Sequence, residues 1–102
     1  MGMVGMMNVL ALEGAKNNVR VNTLAPAAAT RMIATIPGRE IDPENPPAER
    51  APGLVSPAVL YMTSEEAPNG VIINAGNGKF YRAQVYVNAP IDLGVDATFE
   101  SL

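Results

Sequence analysis

Between Asn18 and Met32 the chain reads Asn-Val-Arg-Val-Asn-Thr-Leu-Ala-Pro-Ala-Ala-Ala-Thr-Arg-Met, and no other stretch constrains the fold so closely. Val19 and Val21 alternate with Arg20 and Asn22, and Thr23, Leu24 and Ala25 carry an apolar run into Pro26. The pattern predicts a short buried strand that stops where proline withdraws its N–H from the ladder. Small residues follow, then the hydroxyl of Thr30, so backbone beyond the strand's carboxyl end is open to close approach by another molecule. In open parallel α/β sheets, ligands bind in the crevice outside those ends. The same residues equally describe a strand-to-loop junction that binds nothing.

Composition narrows the chemistry. The 102 residues make one domain or part of one, and their 48% apolar content is that of a globular chain. A net charge of −3, with basic residues scattered from Lys16 to Arg82, argues against a nucleic-acid surface. Cysteine and histidine are absent, which removes disulfides, thiol nucleophiles, Cys/His metal sites and the Ser-His-Asp constellation together; no metal site is expected. The apolar start from Met1 to Leu12 lacks a basic leader and a cleavage-site pattern. Glu13 and Lys16 end that run well short of the ~20 residues a spanning helix needs. A soluble, cytoplasmic protein without membrane contact is the expectation.

From Met1 to Lys16 the sequence predicts a helix that is apolar nearly all round, with Met3, Met7 and Leu10 beside Val4 and Ala11, ending at Gly14 and Asn17-Asn18. Such a helix is buried, in a core or against a partner subunit. No capping residue precedes it, which suggests that something upstream is missing. From Arg31 to Thr35 a turn of helix is expected. Five prolines and six charges between Ile36 and Gly53 exclude a regular element there, leaving a solvated loop or a functional lid. Ser56-Pro57 predicts a helix start with a serine cap, its packing face formed by Val59, Leu60, Tyr61 and Met62. Asn69-Gly70 turns into Val71-Ile72-Ile73-Asn74-Ala75, a strand fit for burial on both faces. Gly76-Asn77-Gly78 then leads to alternation through Tyr81, Ala83, Val85 and Val87, a hairpin signal that a glycine loop after a parallel strand would resemble. Gly76-Asn77-Gly78-Lys79 lacks the Ser/Thr and the spacing of a phosphate loop. Thr98-Phe99-Glu100 resembles a helix start cut short.

Taken together these elements resemble the carboxyl half of a short-chain dehydrogenase/reductase, from about Met1 to Tyr81. The most specific pieces are Leu12-Glu13-Gly14, Val19-Arg20-Val21-Asn22 and the run from Pro26 to Met32. The Met-Gly-x-x-Gly opening, the Ala-Pro-x-Ala-x-Thr-Arg-Met run and the glycine-rich piece ending in an aromatic resemble the branch related to the 3-hydroxyacyl-CoA dehydrogenase part of peroxisomal multifunctional enzymes. The resemblance implies an α/β fold: the carboxyl half of a Rossmann-type doubly wound parallel sheet, incomplete, with residues 1–87 in the NAD(P)-binding domain. Residues 88–102 would form a truncated extension similar to one in bacterial relatives.

In that family a tyrosine, a lysine four residues later and a serine interconvert hydroxyl and carbonyl groups, the lysine lowering the tyrosine pKa while nicotinamide exchanges a hydride. The resemblance would place that lysine immediately before Met1, and neither the catalytic trio nor the glycine-rich cofactor fingerprint occurs in these 102 residues. It assigns Pro26, Ala28 and Thr30 to the segment over the nicotinamide of NAD or NADP. Ala27 stands where the family commonly has glycine, and the spacing to Thr30 is shorter. Met32, Ile33 and Ile36, within a loop reaching Gly53, fall to the region covering a small hydroxyl/carbonyl substrate such as a 3-hydroxyacyl or 3-oxoacyl thioester. Asn22 is expected to brace that loop. Tyr61 and Tyr81 lack a lysine four residues on and are assigned structural roles. The helix from Met1 to Lys16 would pack on its counterpart in a homo-oligomer. The alternative is a noncatalytic remnant or assembly module.

Overall fold

The computed structural model describes residues 1–39, 42, 44–45 and 47–101. Helix α1 (Gly2–Ala15) has no side-chain cap at Met1, as its sequence predicts. Its other end falls at the expected place, between Gly14 and Asn18. Gly14 lies inside the helix and Asn18 supplies the left-handed residue, at φ 56°. Asn18 N–H donates to Ala15 O at 3.1 Å and Val19 N–H to Gly14 O at 2.9 Å, the paired bonds of a Schellman motif. Gly14 lets the chain pass close by: a Cβ there would meet the Val19 carbonyl and Cβ at 3.0 Å, tight enough that Val19 would have to shift.

The strand predicted from Val19 begins later and runs further. β1 is Thr23–Ala27, with Pro26 inside it. Thr23 N–H donates to Val71 O at 3.0 Å. By alternation Thr23, Ala25 and Ala27 therefore face the neighbouring strand, while the amide position of Pro26 faces the unpaired edge and no ladder bond is lost. After β1 come α2 (Arg31–Ala34) and, within the proline-rich segment, two 3-10 turns, Ala48–Arg50 and Pro52–Leu54. Glu40, Ile41, Pro43 and Pro46 of the expected covering loop lie outside the described residues.

Helix α3 (Ser56–Met62) takes Val55 as its cap, and Ser56 makes no capping bond. The Pro52–Leu54 turn explains the shift. It delivers Val55 already helical, at φ −85° and ψ −30°, so the extended backbone that a capping serine requires is unavailable. The packing face also differs from expectation. Ala58 is buried and Met62 and Val55 are half-buried, whereas Val59, Leu60 and Tyr61 are exposed.

Strands β2 (Ile72–Gly76) and β3 (Lys79–Ala83) complete a three-stranded sheet of order β1-β2-β3. β1 and β2 are parallel, joined by the crossover through α3; β2 and β3 are antiparallel. The sheet is thus mixed, not wholly parallel. Asn77 (φ 55°) and Gly78 (φ 70°) form a two-residue hairpin turn with both central residues left-handed, the geometry that Asn-Gly favours. β3 stops at Ala83, so the alternation to Val87 produces no strand beyond it.

Helices cover both faces. Leu24, Ile73 and Ala75 point towards α3, packing with Ala58, Val55 and Met62. Thr23 and Ile72 point the other way, where the Thr23 hydroxyl donates to Met7 Sδ at 3.1 Å. Only one stripe of α1 (Val4, Met7, Ala11 and Gly14) meets the sheet, and Met3 and Leu10 are exposed. A stripe spaced 3-4-3 is what a single packed helix buries. Within one chain, then, α1 is not buried all round, and of the two expected forms of burial this leaves the one against a partner subunit.

Candidate functional site

The carboxyl end of β1 is held from below by backbone and from the side by a glycine. In register, Pro26 lies beside Ala75 and Ala27 beside Gly76. A Cβ on Gly76 would stand 2.6 Å from Ala27 O and 2.7 Å from Ala27 Cβ. Gly76 is therefore a packing requirement between the two strand ends, which its place in a hairpin motif did not reveal. Beyond the strand, Ala28 is half-buried and Ala29 fully buried. Ala29 N–H donates to Arg50 O at 2.8 Å, tying the loop to the first 3-10 turn. Nothing in the sequence marked Arg50, because its contribution is a carbonyl.

Thr30 follows in extended conformation, φ −133° and ψ 171°, and its hydroxyl caps nothing. Its carbonyl accepts from Ile33 N–H and Ala34 N–H at 3.1 and 3.2 Å. Pro26 and Thr30 are exposed. Ala28 and Thr30 N–H find no backbone acceptor among the described residues. The site therefore presents two N–H donors and a hydroxyl without a partner among the described residues, along a short, small-residue wall. Such a group suits a planar amide, which needs both a donor and an acceptor opposite it.

Of the three residues expected over a substrate, Ile33 is half-buried while Met32 (81% exposed) and Ile36 face outward. Arg31 pairs with Glu44 at 3.3 Å, both largely exposed, and this pair links α2 to the loop that follows it.

Asn22 does not reach that loop. Its amide donates to Pro68 O at 2.7 Å and its Oδ1 accepts from Val71 N–H at 3.1 Å, so it braces the turn before β2. Asn69 answers in kind, accepting from Val21 N–H at 2.9 Å and donating to Ala11 O at 3.2 Å. Arg20 adds its guanidinium to the carbonyls of Ser64, Glu65 and Ala67. Three polar side chains thus anchor the root of β1, at the end opposite Thr30. Tyr61 and Tyr81 stand apart from this wall and line a separate apolar cleft.

No helix among the described residues is long and apolar enough to cross a membrane, and no cluster of acidic, histidine or cysteine residues suitable for a metal occurs among them. No family model matches the chain. Individual relatives do. A protein named as a short-chain type dehydrogenase/reductase from Mycobacterium tuberculosis is 42% identical over 89 residues, covering 86% of this chain and 29% of the relative. The peroxisomal multifunctional enzyme type 2 of Mus musculus is 38% identical over 79 residues, 76% of this chain and 10% of the relative. The peroxisomal hydratase-dehydrogenase-epimerase of Saccharomyces cerevisiae is 40% identical over 65 residues, 64% of this chain and 7% of the relative. The chain thus spans less than a third of the length of each of these relatives. With its α/β architecture and these matches, the chain belongs to the short-chain dehydrogenase/reductase family.

Proposed function

We propose that the chain serves as the carboxyl-terminal part of an NAD(P)-dependent oxidoreductase acting on a hydroxyl/carbonyl group, with 3-hydroxyacyl or 3-oxoacyl thioesters as the substrate class. The observation carrying this reading is the wall at the end of β1. Among the described residues the N–H groups of Ala28 and Thr30 and the Thr30 hydroxyl have no hydrogen-bond partner, on backbone fixed by Gly76 and by the Ala29–Arg50 bond. These groups would hold the carboxamide of nicotinamide and so set which face of the ring meets the substrate. NAD(P), when bound, supplies the hydride. This chain's own residues do the orienting; Met32, Ile33 and Ile36 would flank the substrate. The tyrosine and lysine that move the proton would come from sequence outside these 102 residues.

A chimera tests this. The corresponding 89-residue segment of the mycobacterial relative is replaced by this chain, and Thr30→Val is introduced. Removing one hydrogen bond to a neutral group should raise KM for the dinucleotide about 3–10-fold, as a loss of about 0.5–1.5 kcal/mol implies. A folded, active chimera whose dinucleotide KM ignores Thr30→Val would sink the assignment.

A second reading, an assembly module, is favoured by α1. Met3, Met6, Val9, Leu10 and Leu12 lie exposed on the helix side away from the sheet, forming the kind of apolar patch that marks a partner surface. Folded, dimeric chain that leaves NAD(P)H fluorescence unchanged would support it.

A further inference from the structure

The carbonyl of Arg50 ties the loop after β1; the side chain of the same residue is left over. Of the seven bases in the chain, six are exposed and Arg50 alone is half-buried. Its backbone is held on both sides. Arg50 N–H donates to Pro47 O at 2.9 Å, and Arg50 O accepts from Ala29 N–H at 2.8 Å. Ala29 is buried, and its neighbours Ala28 and Thr30 carry the N–H groups without backbone acceptors among the described residues. Only its own carbonyl group separates the Arg50 Cα from that bond, so its side chain starts beside the wall at the end of β1.

The other arginines near these elements are occupied. Arg20 donates to the carbonyls of Ser64, Glu65 and Ala67, and Arg31 pairs with Glu44. The Arg50 guanidinium has no ion-pair partner among the described residues, and Glu49 beside it in sequence is exposed and makes no ion pair with it. A half-buried cation gives up hydration, and here no carboxylate returns it. An incoming anion restores that balance. Guanidinium suits phosphate in particular, because its planar fork meets two oxygens at once with charge-assisted bonds.

We propose that Arg50 holds a phosphate group of the molecule seated against the β1 wall and so determines specificity for phosphate-bearing ligands. The inference rests on the reading of that wall as a site for dinucleotide and thioester. Both ligands carry phosphate, the dinucleotide in its pyrophosphate and a CoA-type thioester in its carrier. Arg50 then fixes the ligand at a second point, separate from the groups that orient the nicotinamide ring.

On the full 102-residue chain, inorganic pyrophosphate should shift the amide signals of Ala28, Ala29 and Thr30 in a proton–nitrogen correlation spectrum. Raised salt should weaken the effect. Arg50→Gln should reduce the affinity about tenfold or more, and Arg50→Lys should recover part of the loss. In the chimera described above, Arg50→Gln should raise a KM about tenfold or more with kcat little changed. A raised dinucleotide KM identifies the pyrophosphate as the group held. A raised KM for the CoA thioester, with that of a phosphate-free N-acetylcysteamine thioester unmoved, identifies the carrier. Shifts that are missing from the unmodified chain, or that persist in Arg50→Gln, overturn the proposal, and these spectra decide alone where the chimera does not fold. So does a chimera in which Arg50→Gln moves neither KM, or moves the phosphate-free thioester equally, as a merely structural role would. Thr30→Val tests the carboxamide separately: an unmoved dinucleotide KM there, beside a raised KM in Arg50→Gln, sinks the carboxamide assignment and leaves the phosphate contact standing.

Discussion

Asn22 and Asn69 clamp each other's segments. Asn22 pairs with the carbonyl of Pro68 and the N–H of Val71, on either side of Asn69-Gly70. Asn69 pairs with the N–H of Val21, next to Asn22, and with Ala11 O on α1. Three backbone groups outside helix and ladder are thereby satisfied, Pro68 O, Val71 N–H and Val21 N–H, and the fourth bond ties the cluster to the helical carbonyl of Ala11. Asn22→Ala and Asn69→Ala should each lower stability by about 1–2 kcal/mol, because each strands an acceptor and a donor. The double variant should lose less than the two losses added, since both act on one clamp. Urea titrations followed by far-UV circular dichroism measure all three; strict additivity would show that the two asparagines act separately.

Gly76 should not accept a methyl group. With Ala27 O 2.6 Å from the position of an added Cβ, Gly76→Ala must push β1 and β2 apart at their carboxyl ends. Overpacking of this kind costs about 1–3 kcal/mol. The same titration reads the loss, and amide exchange should quicken at Ala27 and Ala29 first.

Asn18, at φ 56°, predicts a pair of opposite outcomes. Asn18→Gly should hold or slightly raise stability, and Asn18→Val should lower it by about 1–2 kcal/mol, the cost of a left-handed conformation for a β-branched residue. Equal midpoints for the two variants would mean that the helix ends differently in solution.

The Arg31–Glu44 pair should contribute almost nothing. At 3.3 Å, but with side chains 83% and 73% exposed, it belongs among surface ion pairs whose net value is about 0–1 kcal/mol. Glu44→Gln should move the unfolding midpoint within measurement error at 0.15 M salt.

The 102 residues alone should not turn over NAD(P)H with any ketone, because no Tyr-x-x-x-Lys pair is present to move the proton. Absorbance at the reduced-nicotinamide band is the measurement, and any steady, enzyme-proportional decay would refute the expectation.

Several elements were legible residue by residue. Asn77-Gly78 signalled a hairpin, though a glycine loop after a parallel strand would read alike until the antiparallel pairing decided it, and Val71 to Ala75 announced a buried strand through an apolar run interrupted only by Asn74. Other features were not. Ser56 has every local property of a cap, yet a preceding 3-10 turn had already started the helix. Val19 and Val21 alternate like a strand, yet the Schellman turn at Asn18 and the asparagine clamp occupy that stretch. The apolar content of α1 did not say which stripe the sheet would take, because composition counts apolar side chains without counting the surfaces that receive them; Met7 is 4% exposed while Met3 and Leu10 are uncovered in the single chain.

At the site, Thr30 was visible as a hydroxyl following small residues, whereas Ala29, Arg50 and Gly76 were not. The first two act through backbone groups, which every residue type carries alike, and the third through the absence of a Cβ beside one particular neighbour. Sequence alone determined the order of helix and strand and the lack of thiol and imidazole side chains in these 102 residues, since these follow from residue types and local spacing, and it carried the resemblance to the family. The tertiary structure decided which sheet edge could hold Pro26, which stripe of α1 is buried and where Asn22 and Asn69 reach. Each of those depends on a partner distant in the chain, whose position no local preference encodes.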